Sequence, residues 1–265
     1  MTSTLNSGGF VPPLLQHLDV RESVETQVSH VEKSMSLGLP QFGKKCRAHS
    51  NVLSIVGGGP SIKETVGELH GYVVAINGSL KWLLDRGQKV FACGVLDPGE
   101  HIAEGLVRND NVRYFVSSTA HPNTFDKLKG LNVTIWHPGG CDEVNKVVFE
   151  RNPDALIIGG GCTMGLRWIN LGYMLGFRKF DCYGMDSSFS KDGTHAYPDW
   201  KDDAEERFIK SRGYTTSRDM LQQVADYLVA RERFTFPDSD GIEVNMHGDH
   251  LMREAHDLWE GAMAC

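Results

Sequence analysis

No two cysteines in this chain are spaced C-x-x-C. The six, at positions 46, 93, 141, 162, 182 and 265, are scattered. That excludes a zinc ribbon or a thioredoxin-type motif and suits reduced thiols in a cytoplasm. A basic excess is also missing. The net charge of −7 gives no general attraction to nucleic acid or to an anionic membrane. No apolar run reaches membrane-spanning length. The start, "MTSTLNSGGFVPPLLQHLDV", has neither the basic residues nor the long apolar core of a secretory signal. Without such a signal the glycosylation sequons at Asn77 and Asn132 carry little meaning. A cytoplasmic location is expected.

What is present is an ordinary globular composition over 265 residues, enough for a full core. Residues 1–50 read as an N-terminal extension, partly helical over "RESVETQVSHVEKSM". From residue 51 to 265 short apolar runs alternate with helical patterns: "NVLSIV", "YVVAI", "KVFACGVL", "VRYFVSS", "NVTIWH", "ALIIGG" and "KFDCYGMD" read as strands, with "GIEVNM" as a last short one. This predicts an α/β domain, a mainly parallel Rossmann-like sheet with helices on both faces. Ligands in such sheets sit at the carboxyl ends of the strands. The residues of interest fall at those ends.

The first is the glycine loop in "SIVGGGPSI". Gly57 and Gly59 fit a dinucleotide fingerprint, but Ile62 stands at the third glycine position. The second strand ends in Asn77 rather than an acid. A Walker A loop fails as well, because Lys63 lacks the preceding glycine and the following hydroxyl. The loop still offers glycine amides, Ser61 and a helix start, which together suit an anion, with Pro60 presetting the turn. The alternative is a plain strand–helix turn. A second loop, "IIGGGCTMGL", repeats strand–glycines–helix, with Cys162 or Thr163 placed to cap the helix. It reads either as the other half of a nucleotide grip or as close helix–strand packing. Cys162 as a nucleophile lacks an evident histidine partner.

Two acids end strands. Asp97 in "GVLDPGEH" suits a divalent metal or a sugar hydroxyl, or else an Asp-Pro-Gly turn. Asp186 precedes a loop that carries Asp192, His195 and Tyr197, and His195 is the best single candidate for a general base or acid. The tail "MHGDHLMREAHDLW" lacks the H-E-x-x-H pattern and reads as a surface helix start.

Taken in order, "IVGGGPSI", "VVAINGSLKWLLDRGQKVFACGVLDP" and "GGGCTMGLRWINLGYMLGFRKFDCYGMDSSFSKDGTHAYP" resemble the MptE-like domain. That family is named for archaeal 6-hydroxymethylpterin diphosphokinases. Bacterial sialyltransferases of the Campylobacter type and motility-associated glycosylation proteins share the order. The resemblance covers residues 51–198. It implies a nucleotide-binding transferase. Gly57, Gly58, Gly59, Pro60 and Ser61 would contact donor phosphate or ribose, and Asn77 the nucleotide. Gly160, Gly161, Cys162 and Thr163 would line the donor's other side. Asp97 would face the phosphates through Mg²⁺ in a diphosphokinase, and Asp186 and His195 would face the reacting centre. One departure stands out: the family usually has Ser or Thr where this chain has Gly161 and Cys162.

The leading expectation is an ATP-dependent, Mg²⁺-assisted diphosphokinase acting on a hydroxymethyl acceptor. The alternatives are a glycosyltransferase using a CMP-type nucleotide sugar and a non-catalytic nucleotide-binding module. The expected partners are a nucleotide donor and a small-molecule acceptor, with a homo-oligomer left open.

Overall fold

The computed structural model describes residues 22–190, 196–197, 209–234 and 241–263. Ten strands and nine helices are seen among them. The first strand, β1 (Val52–Val56), is followed by a single helical turn, α2 (Ile62–Thr65), and a 3-10 turn at Val66–Glu68. Then come β2 (Tyr72–Ile76), α3 (Ser79–Leu84), β3 (Ala92–Val95), α4 (Ile102–Gly105), β4 (Arg113–Ser117), α5 (Pro122–Lys127), β5 (Val133–Pro138), α6 (Asp142–Arg151) and β6 (Ile157–Ile158). A longer helix, α7 (Met164–Met174), leads to β7 (Lys179–Tyr183). A small antiparallel hairpin, β8 (Ile209–Ser211) and β9 (Tyr214–Thr216), precedes α8 (Arg218–Phe234), β10 (Glu243–His247) and α9 (Leu251–Met263). One helix, α1 (Val24–Ser36), lies before β1.

Eight strands form one sheet in the order β10-β7-β1-β2-β3-β4-β5-β6, and every pairing is parallel. The sheet expected to be mainly parallel is wholly so. The central strands are apolar on both faces because both faces are covered. Leu53 and Ile55 pack on one side with Trp168 and Leu171 of α7 and Tyr227 of α8. Val56 and Ala75 pack on the other with Leu80 and Leu83 of α3 and Phe125 of α5. From β1 the chain winds outward to β6. It then returns through α7 to β7, on the far side of β1. Right-handed crossovers in opposite directions put helices on opposite faces. The strand order therefore reverses between β1 and β7, and a crevice opens outside their carboxyl ends.

Part of the N-terminal extension is tied to this sheet. Ser23 caps α1 by accepting from the Thr26 N–H at 3.2 Å. Val31 is fully buried in a cluster with Val144 and Val148 of α6. Ser34 Oγ donates to the Ser118 carbonyl (2.9 Å), and His30 Nδ1 lies 3.0 Å from the Thr119 carbonyl, both in the loop after β4. No helix among the described residues is long and apolar enough to cross a membrane.

Candidate functional site

A cleft of about 1060 Å³ runs along the carboxyl ends of the strands, large enough for a nucleotide and a second small molecule. The loops after β1, β2, β3, β5 and β7 line it, with residues 162–165 at the start of α7 and Ser217, Asp219, Met220 and Gln223 at the start of α8. Glu22, Val24 and Gln27 close it from the N-terminal side. Gly57, Gly58, Gly59, Asn77, Asp97, Cys162, Thr163 and Asp186 thus share one cavity. His195 lies outside the described residues.

The first glycine loop differs from its expectation. Free amides for a phosphate are predicted there, yet most already have acceptors. Gly57 N–H donates to the Tyr183 carbonyl and Gly59 N–H to the Gly184 carbonyl, each at 2.8 Å. Ser61 gives its N–H to Asp186 Oδ2 (2.8 Å) and its hydroxyl to Oδ1 (2.6 Å). Pro60 has no N–H. The Gly58 carbonyl accepts from the Ala196 N–H at 2.8 Å. The helix that follows, α2, is one turn of four residues, too short to sum a useful dipole. The anion at this loop is the protein's own Asp186.

Asp186 therefore has a structural occupation. It is buried, and His250 Nε2 stands 3.8 Å from its Oδ1. His250 Nδ1 accepts the Arg253 N–H at 3.0 Å, so Nε2 carries the hydrogen and gives it to the His247 carbonyl at 2.9 Å. Burial raises the Asp186 carboxyl above its ordinary range, while His250 and the two Ser61 donors pull it back in part.

At the end of β2, Asn77 adopts a left-handed backbone, φ +46°. Its Oδ1 is buried without a hydrogen-bond partner among the described residues. A buried acceptor on a cleft wall is a place for a ligand donor. At the end of β3, Asp97 Oδ1 accepts the Gly99 N–H at 2.8 Å, so the Asp-Pro-Gly turn is formed while Asp97 still lines the cleft. Among the described residues no group of three or more His, Cys, Asp or Glu is arranged to hold a metal ion.

The second glycine loop is built differently. Gly160 and Gly161 have φ of +113° and +92°, a backbone region that favours glycine. Thr163 caps α7, its side chain accepting from Leu166 N–H at 3.4 Å. Cys162 N–H donates to Asp226 Oδ2 of α8 at 2.8 Å. Desolvation, then the Asp226 charge, pushes the Cys162 thiol up, the opposite of an activated nucleophile. Arg167, one turn into α7, ties the loop together. Its Nε donates to the Gly161 carbonyl (2.7 Å), Nη2 to the Gly139 carbonyl (2.9 Å) and Nη1 to the Ile158 carbonyl. Arg167 is not among the residues expected from the sequence. A cation in the first turn of an otherwise uncharged helix, against the macrodipole, is the signal that marks it.

Fold and site together define a doubly wound α/β protein with a ligand cleft at its switch point. The chain belongs to the MptE-like family, described as 6-hydroxymethylpterin diphosphokinase MptE-like, which matches residues 27–192. It is also similar in fold to the solved structure of MAf glycosyltransferase from Magnetospirillum magneticum AMB-1, with a TM-score of 0.55 and 16% identity. That likeness covers 91% of this chain and 42% of the other, so this chain spans less than half of that protein's length. No curated protein matches the chain.

Proposed function

We propose that the protein is a nucleotide-dependent transferase working in this cleft. The reaction is the transfer of a diphosphoryl group from ATP to a hydroxymethyl acceptor, with release of AMP. The family description supports this chemistry and suggests a 6-hydroxymethylpterin as the acceptor. The observation that carries the reading is the charge of the cleft. Among the described residues Glu22, Asp97, Asp142, Glu143, Asp186 and Asp219 line it, against a single cationic lining residue, Arg167. The described side chains alone do not balance a triphosphate there. Mg²⁺ on phosphates needs only one or two carboxylates, and Asp97 at the end of β3 fits that part. When bound, Mg²⁺ supplies charge neutralisation on the transferred group.

The chain's own residues bind and orient. The cleft walls hold donor and acceptor in line, and Asn77 Oδ1 accepts from a ligand donor group. The acceptor oxygen attacks the β-phosphorus. The bond from that phosphorus to the oxygen leaving with AMP breaks, and the hydroxyl proton passes to a base, the role assigned to His195.

A second reading is glycosyl transfer from a CMP-type nucleotide sugar. The likeness in fold over 91% of the chain favours it. His195 is then the base on the acceptor hydroxyl, and no metal is required. Chromatography separates the two: ATP with 6-hydroxymethylpterin should yield AMP only with Mg²⁺ present. Turnover that survives EDTA rules out the diphosphokinase, and release of CMP from a CMP-sugar establishes the second reading. Nucleotide binding with no turnover of any donor points to a non-catalytic module.

A further inference from the structure

Arg167 is placed at a cost that loop-tying alone does not explain. It is only 9% exposed. Burial pulls its pKa down, and the Asp226 charge opposes that pull. Yet Asp226 directs its oxygens to Cys162 N–H and Gln222 Nε2, and no described carboxylate forms an ion pair with Arg167. A buried charge without a counter-ion is unfavourable. A cation in the first turn of a helix also opposes the helix dipole. A neutral donor is enough to tie such a loop: Asn170 Nδ2 does so for the neighbouring Gly159 carbonyl at 3.0 Å.

The guanidinium carries five N–H groups, and three of them meet carbonyls. Two remain, one on each terminal nitrogen. Arg167 is the sole cation among the described residues lining the cleft. Gly140, also on the cleft, has no side chain to cover it, and even a Cβ there would stay 3.9 Å from Nη2.

We propose that Arg167 forms an anion subsite, taking a phosphoryl oxygen pair of the cleft's ligand through its two remaining N–H groups. Charge-assisted, paired hydrogen bonds of this kind are what arginine supplies and lysine does not. The subsite rests on the proposed function for the identity of the ligand as a nucleotide, and not for its own geometry.

Inorganic pyrophosphate is the probe. It is titrated into full-length protein with ¹⁵N-labelled arginine, following the Nε–H resonance that Arg167→Lys removes. That resonance should shift and saturate. In calorimetry Arg167→Lys should weaken pyrophosphate binding by about tenfold, and Arg167→Met should abolish it. Pyrophosphate that does not bind, or that binds with the resonance unmoved, overturns the proposal. So do folded Lys and Met variants that bind as the wild type does. If Arg167→Met fails to fold, the wild-type resonance decides. A moving resonance with no AMP formed from ATP leaves the subsite standing and removes the proposed reaction. AMP formed with the resonance unmoved does the reverse.

Discussion

Residues 57–61 and 159–163 share a spelling, three glycines between a strand and a helix, but the glycines meet different requirements. In the first loop the need is clearance. A Cβ on Gly57 would collide with the Gly184 carbonyl oxygen, and one on Gly59 would fall 2.6 Å from Asp186 Oδ1. Neither residue has a positive φ. The loop is pressed against the loop after β7, at the point where the strand order reverses. In the second loop the backbone itself is a need as well, since Gly160 and Gly161 are left-handed, and the atoms a Cβ would meet there are side-chain ends, Asn170 Nδ2 and Leu166 Cδ1. There the chain turns from β6 into an eleven-residue helix, and side chains from α7 and α8 hold the turn from outside. The first loop is closed by its own anion, Asp186. The second brings a buried cation to the cleft wall.

The largest effect should come from Gly57→Ala. The colliding atom is backbone, the Gly184 carbonyl just past the paired ends of β1 and β7, with little room to give. A loss of about 3 kcal/mol or more is expected, read from urea unfolding. A loss under about 1 kcal/mol would show that the two loops can separate, and the contrast with the second loop would weaken.

Asp186→Asn tests the internal anion. Asn keeps one acceptor for Ser61 and puts an amide where the carboxylate offers the other, which costs about 1–3 kcal/mol. Burial raises the Asp186 carboxyl above its ordinary value, so the folded state holds the proton more tightly than the unfolded state. That contribution is fully present below the unfolded pKa and is lost as pH rises through the folded pKa. Asn has no such proton to release. The wild type's lead should therefore be greatest near about pH 4 and narrow toward about pH 7. Urea midpoints across that range give the slope, and a lead that widens instead would mean the Ser61 and His250 contacts outweigh burial.

Local signals were legible and long-range ones were not. The run "YVVAI" coincides with β2, Tyr72–Ile76, because an apolar stretch between turns needs no distant information. The α6 pattern, with Val144, Val147 and Val148 after two acids, is equally local. The filling of the first loop was hidden for a physical reason: Asp186 lies 125 residues from the Ser61 it holds. Chain order alone does not reveal that β7 returns beside β1. Three glycines likewise do not say whether clearance or φ is the need, since that depends on what stands opposite.

The smallest effects separate neighbours within the second loop. Gly160→Ala should cost about 1–2 kcal/mol, because φ is +113° and the new methyl would meet Asn170 Nδ2, the movable end of a side chain. Gly159 is one residue away, has no positive φ, and has nothing within 4 Å of where a Cβ would stand. Alanine there reduces the freedom of the unfolded chain without straining the folded one. Gly159→Ala should therefore be neutral or stabilise by about 0.4–1 kcal/mol, seen as a small rise in melting temperature with pyrophosphate binding unchanged. If both substitutions cost the same, the left-handed φ of Gly160 does not set the requirement of the second loop. The difference between the two loops would then lie in the helices that follow them.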